Sequence, residues 1–339
     1  MKNPSRRLAL LALALLLPAA ASAQTAEDFY RGKILDFYIG QPTGVGADIW
    51  GRALIQFMGK HIPGNPVIVA RNVPGAGGLT MVRQMDRQVA ADGLGFGIIN
   101  AGLFIEAALK PDEVMVDMTR LTWIGNMSNN VKMCFTWGES GFARLDDLRK
   151  KTSQWGGLGT QGGTFVATNI LKHAIGETIH PVQGYPAANE IFLAMERREL
   201  DGFCTGYDTI PGQRPTWIPE KKINILVHFG RGDEPDMPGV PSIYDQVASE
   251  DVKGAIDFLT LSDQMTRPIF APPGVPGDRA RILREAFLAT MKDPDFVAHA
   301  KKLNLPLAVK SADEVASYVS KIVKASSQAV ALARKLTEN

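Results

Sequence analysis

Neither sign of charge dominates the chain. There are 37 Lys and Arg against 35 Asp and Glu, a formal net charge of +2. That balance provides no basic surface for nucleic acid or for an anionic membrane, and neither is expected as a partner. Histidine is scarce, and the five present (His61, His173, His180, His228 and His299) form no compact ligand spacing. No H-E-x-x-H helix or EF-hand loop occurs, so no metal and no cofactor is expected. A nucleophile elbow is also missing. The nearest stretch, Gly138-Glu139-Ser140-Gly141-Phe142, lacks the spacing, and no catalytic residue is assigned. No apolar run reaches the roughly 20 residues that a membrane-spanning helix needs.

The longest apolar run, Leu8 to Leu17, follows Lys2, Arg6 and Arg7 and precedes Ala21-Ser22-Ala23. That order reads as a cleavable secretory signal peptide over residues 1–23. No Cys follows the apolar run, so a lipid anchor is not indicated. The mature protein is then exported, with a periplasmic location expected. Cleavage takes the basic residues from 37 to 34 against 35 acidic ones, a net charge of −1. Of the 339 residues, 316 remain after removing 23, more than one core usually covers, which favours two domains.

Cysteine is nearly absent. Cys134 and Cys204 are the only two, each in an apolar, strand-like run. In an exported chain an even pair reads as one disulfide. Two buried free thiols are the alternative.

Glycine, by contrast, is placed with purpose. The stretch Gly40-Gln41-Pro42-Thr43-Gly44-Val45-Gly46-Ala47-Asp48 follows a strand-like run, Ile34–Ile39. It precedes Ile49, Trp50, Ala53, Leu54, Phe57 and Met58 at helical spacing. A glycine turn from strand to helix points main-chain N–H groups outward at the positive end of a helix, which suits an anion. A dinucleotide fingerprint would need Gly at position 49, which is Ile, and a P-loop would need a Lys that is not there. A tight turn without a ligand is the competing reading.

The elements alternate from here. A helix near 47–60, a strand at 67–69, the loop 72–78, a helix near 79–90 and a strand at 95–99 predict a mostly parallel sheet with helices on both faces. Ligands of such sheets bind at the carboxyl ends of the strands. A second set follows: a strand at 133–136, a short helix at 145–150, and a second glycine turn, Gly156 to Thr164. That turn opens a helix with Val166, Ile170, Leu171 and Ile175 on one face. Gly184-Tyr185-Pro186 leads into another helix, and strands are expected at 202–204 and 223–228. From about 229 the chain reads as loop-rich. A strand near 267–271 and two closing helices, about 277–292 and 312–335, complete an α/β fold.

The run Ile39 to Asp48, then Asn72-Val73-Pro74-Gly75-Ala76-Gly77-Gly78, Ala91-Asp92-Gly93, Gly184-Tyr185-Pro186 and Phe270 to Pro276 resemble the solute-binding proteins of tripartite tricarboxylate transporters, the Bug receptors. The order matches over essentially the whole mature chain. The resemblance implies a two-domain periplasmic binding protein of the class II type, with domain 1 formed by 24–128 and 229–339 and domain 2 by 129–228. It implies a small organic anion in the interdomain cleft, held by main-chain amides, small hydroxyls and waters, and delivered by a monomeric receptor to membrane permease subunits. The chain departs from the family pattern at Val45, commonly Gly, and at Gly163, commonly polar or acidic.

On this reading domain 1 supplies Thr43, Gly44, Gly46 and Asp48. Domain 2 supplies Thr160, Gln161, Gly162, Gly163 and Thr164, with Tyr185, Asn189 and Asp208 from the neighbouring turns. Each has a structural alternative. Asp48 would complement the dipole of its own helix, Thr164 would be an N-cap, and Tyr185 would pack its turn. Pro74 to Gly78 reads as a close backbone approach. The competing functions are an exported α/β enzyme, such as a hydrolase acting on a small acid, and a ligand sensor.

Overall fold

A computed structural model describes residues 26–44, 46–158 and 163–337. The expected signal peptide, and the site candidates Thr160, Gln161 and Gly162, lie outside the described residues, as does Val45.

Two sheets organise the molecule. Strands β1 (Ile34–Ile39), β2 (Val67–Asn72), β3 (Gly95–Ile98), β4 (Thr122–Asn126), β10 (Pro268–Ala271) and β11 (Lys310–Ser311) form a six-stranded sheet in the order β11-β4-β10-β3-β1-β2. Strands β5 (Lys132–Trp137), β6 (Ser153–Gly157), β7 (Ile179–Gln183), β8 (Gly202–Gly206) and β9 (Ile223–His228) form a five-stranded sheet in the order β7-β6-β8-β5-β9. In β1, Leu35, Phe37 and Ile39 alternate into the core, the period-2 pattern of a pleated strand.

Neither sheet is simply parallel. β1 pairs parallel with β2 and β3, but β10 enters antiparallel between β3 and β4. In the second sheet β5 runs against both β8 and β9, while β6 pairs parallel with β7 and β8. The antiparallel intruder in each sheet is the strand on which the chain crosses from one sheet to the other. β4 ends at Asn126 opposite Pro268, and β5 begins at Lys132 opposite Gly206. Residues 127–131 therefore join the carboxyl edge of the parallel strands in one sheet to the same edge in the other.

The expected disulfide is present. Cys134 and Cys204 face each other in register on β5 and β8, with Cα atoms 4.1 Å apart, and both are fully buried. Several expectations change. The helix expected over 312–335 is two, Ala312–Val323 and Ser327–Thr337. Between them Ser326 restarts the chain by accepting from the Ala329 amide at 3.1 Å. The loop-rich stretch after 229 contains the helix Glu250–Thr260, whose N-cap Ser249 accepts from Val252 N. Another unexpected helix, Pro294–Lys302, starts with the Asp293 cap and Pro at its first position.

Three apolar clusters hold the layers. One faces each sheet on its outer side: Phe37, Trp50, Phe96 and Phe287 for the first, and Phe135, Phe192, Phe203 and Trp217 for the second. The third is shared, running from Phe104 and Trp123 to Trp155 and Ile170 and enclosing the disulfide. The Ser327–Thr337 helix packs on both Glu250–Thr260 and Gly163–Ile175, so the end of the chain ties the two sheets together. Among the described residues no helix is long and apolar enough to cross a membrane.

Candidate functional site

The first glycine turn forms as its sequence implies, and it is held from within. Asp48, in the first turn of the Ala47–Met58 helix, is 1% exposed. Its carboxylate accepts from the Gly44 amide (2.8 Å), from Arg52 Nε (2.9 Å) and from Asn72 Nδ2 (2.8 Å). Arg52 also donates to Asn72 Oδ1 (2.8 Å), and Asn72 Nδ2 to the Gln41 carbonyl (2.8 Å). Burial alone would raise the Asp48 pKa. The bonds from Arg52, Gly44 and Asn72 outweigh it and hold the carboxyl below its ordinary range. Asp48 thus supplies the anion at this helix N-terminus, and its carboxylate is fully engaged inside the turn.

The turn's glycines have separate reasons. Gly44 adopts φ +86°, with open space where a Cβ would stand. At Gly46, φ +41°, a Cβ would meet Gln41 Oε1 at 2.5 Å, and that oxygen already accepts from the Ala47 amide. Gly40 lies against the second loop, where a Cβ would reach Gly78 Cα at 2.7 Å. The Pro74 to Gly78 run is therefore a site of close backbone approach. Thr43, Gly44 and Gly46 are exposed at the carboxyl edge of β1.

The crossings carry a second polar network. Asn126 Oδ1 accepts from the Arg267 amide (2.9 Å), Thr266 N donates to the Ser128 carbonyl (2.8 Å), and Asn130 N donates to the Asp263 carbonyl (2.8 Å). Lys132 and Asp263 form an ion pair across the two crossings. Burial raises the Asp263 pKa, opposed by that lysine. Arg267 immediately precedes the antiparallel strand β10, at the edge of the sheet that bears the glycine turn. Its Nη1 donates to its neighbour's carbonyl (Thr266, 2.8 Å), while its Nε is buried with no acceptor. Its guanidinium carbon lies 5.7 Å from the Trp50 ring, in the first turn of the Ala47–Met58 helix. Burial lowers its pKa, opposed by the charge of Asp208.

On the second sheet, Asp208 follows the end of β8, and its Oδ1 accepts from Asn130 Nδ2 (2.8 Å). Tyr185 is half-buried beside the outer cluster, and its amide donates to the Gly157 carbonyl (3.2 Å). Asn189 is turned to Arg214, which donates to its Oδ1 at 2.8 Å. Gly163 is the first residue of the Gly163–Ile175 helix, so Thr164 sits inside the helix and its carbonyl accepts from Thr168. A Cβ on Gly163 would meet Lys132 Cε at 2.9 Å.

Two cavities lie between the sheets. The larger, about 910 Å³, is lined by Asn100 and Leu103 from one side and Lys132, Gly163 and Phe165 from the other. The smaller, about 420 Å³, is lined by Asp208 and Gly212 against Lys301, Asn304 and Leu307. Of the described candidates, Gly163 lines the first and Asp208 the second. Thr43, Gly44, Gly46, Thr164, Tyr185 and Asn189 line neither. Arg267 and Lys132 do not stand out in the sequence. A lone basic residue before a strand has no distinguishing neighbours in the chain, and only the crossing of distant segments gives it a role.

These two sheets, joined edge to edge by residues 127–131 and by the longer return 229–267, have the fold of two-domain periplasmic binding proteins. A TctC solute-binding protein from Polaromonas aligns with a TM-score of 0.68 at 14% identity, over 91% of this chain and 98% of that one. The periplasmic binding protein BugD aligns at 0.63 and 17% identity, over 91% and 98%. MatC from Rhodopseudomonas palustris, solved with bound malate, aligns at 0.61 and 15%, over 90% and 99%. No family model and no curated protein sequence matches the chain. At these identities the likeness is one of fold, and it agrees with the resemblance to the tripartite tricarboxylate receptors drawn from the glycine turns.

Proposed function

We propose that the protein is a periplasmic receptor that captures a small organic acid between its two sheets and delivers it to the membrane subunits of a tripartite tricarboxylate transporter. The observation that carries this reading is the meeting of two carboxyl edges across residues 127–131, with cavities of about 910 and 420 Å³ lined from both sides of that meeting. The malate bound to MatC, a protein of the same fold, supports an acid as the ligand class. In this reading residues 24–128 with 229–339 form one domain and 129–228 the other. They close about the crossings on a ligand held without covalent chemistry, and export follows from the signal peptide at 1–23. Thr43, Gly44, Gly46 and the second glycine turn border the bound acid, with Asp48 supporting the first turn from beneath.

The test is a thermal-shift screen of the mature protein against small carboxylic acids, each paired with its amide or methyl ester. A cognate acid is expected to raise the melting temperature, its neutral partner far less, and the acid is expected to be recovered unchanged after incubation. Equal stabilisation by the neutral partner would remove the carboxylate from the reading. Turnover of the acid would replace the receptor by an enzyme.

A further inference from the structure

Resting on the receptor reading, an acid in the larger cavity needs a counter-charge in its wall. The first glycine turn brings no free charge, because Asp48 already occupies that helix N-terminus and is itself paired with Arg52. Of the described residues lining the cavity, three are basic: Lys110, Lys132 and Arg334. The Lys110 side chain is 42% exposed and lies beside Glu113, and Arg334, also exposed, donates to the Leu109 carbonyl. Lys132 differs from both. Its side chain is only 14% exposed, and its Cε lies against Gly163 at the start of the Gly163–Ile175 helix.

Lys132 opens β5, and Asp263 lies in the turn Leu261–Met265 on the return to the first sheet. The ammonium donates to both Asp263 oxygens, and neither side chain has another hydrogen-bonding partner among the described residues. An ammonium carries three N–H groups, so the two oxygens of one carboxylate leave at least one unused. Ser262 and Lys132 line the cavity whereas Asp263 does not, so the lysine is reached from the cavity with its counter-ion behind it. A largely buried ion pair is a weak source of stability, because desolvation offsets the attraction and an apolar pair of similar volume often serves as well. Its place in the cavity wall gives it another use. Beside Lys132 the wall is apolar, with Leu103, Phe165 and Leu259 placed to receive a carbon skeleton.

We propose that Lys132 receives the carboxylate of the ligand from the cavity side while Asp263 holds the ammonium in place from behind. The two partners then act with opposite sign. Neutralising Asp263 leaves an unpaired buried cation that an acid relieves, whereas neutralising Lys132 leaves an unpaired buried anion that repels it. The experiment is calorimetric titration of the mature protein with succinate, malate, adipate, benzoate and any further acid that scores in the thermal-shift screen, with circular dichroism as the check on folding. The acid that the parent binds most tightly is expected to bind Asp263→Asn about threefold or more tighter, and Lys132→Gln about tenfold or more weaker. A purely structural pair would weaken binding in both. Lys132→Met combined with Asp263→Leu removes both charges at similar volume. That double variant is expected to fold and to bind the same acid at least tenfold more weakly, and it decides alone if a single variant does not fold. Unchanged or weaker binding in Asp263→Asn, or unchanged binding in Lys132→Gln, would overturn the assignment and leave the receptor intact. So would parent-like affinity in the double variant, or its failure to fold. Binding of no acid at all would overturn both.

Discussion

Replacing Cys134 and Cys204 together by Ala is expected to destabilise the protein by about 2–5 kcal/mol. The bond closes a loop with a sequence separation of 70, worth about 4 kcal/mol on the chain-entropy model. It does so between directly opposed residues of β5 and β8, inside the five-stranded sheet. Both cysteines are wholly buried in the cluster shared between the sheets, so truncation also leaves unfilled space. The measurement is urea unfolding of parent and variant, with and without reductant. Reduced parent should approach the variant, and the variant should be indifferent to reductant. Two titratable thiols in the unreduced, unfolded parent would show that the bond does not form.

Asp48→Ala is the second large effect, expected at about 2–4 kcal/mol. Hydrogen bonds to a charged group contribute roughly 1.5–3 kcal/mol each, and truncation leaves the partners of a buried carboxylate unsatisfied. The contribution of Arg52 is discounted, since its side chain is 46% exposed and solvent screens it. The pH dependence has a definite sign. The folded pKa of Asp48 lies below its ordinary value of about 3.9, so the unfolded chain takes up the proton first. The stabilisation is fully present above about pH 4 and is lost as pH falls through the folded pKa. Unfolding followed from pH 7 down to pH 2 should therefore show parent and Asp48→Asn converging in acid. A constant gap across that range would mean the carboxylate carries no charge-dependent role. Affinity for a cognate acid should fall in Asp48→Ala, because the Gly44 turn loses its internal clamp.

Much of this was readable along the chain where the determining contacts are local. Strand β1 and the helix after it follow from alternation and helical spacing, and the turn between them from glycines that need positive φ. The caps at Ser249, Asp293 and Ser326 were also present in the sequence. They mark helices that a run of Pro and Gly residues, or an unbroken apolar pattern, concealed. Asp48 illustrates the limit. Its place in the first turn is evident from spacing, but its engagement by Asn72 depends on β2 lying beside β1.

By itself the sequence determined the α/β class, the first glycine turn, the pairing of the two cysteines and the absence of a local catalytic or metal motif. Each of these depends on residues near in sequence or on counting. The tertiary structure alone decided that β10 runs antiparallel between β3 and β4, and that Arg267 thereby stands at the edge bearing the first turn. It alone brought Asp208 to the crossing segment through Asn130. The reason is physical: strand order and the meeting of distant charges are set by packing and hydrogen bonding between segments far apart in the chain. A linear pattern carries no record of which neighbour a strand will choose.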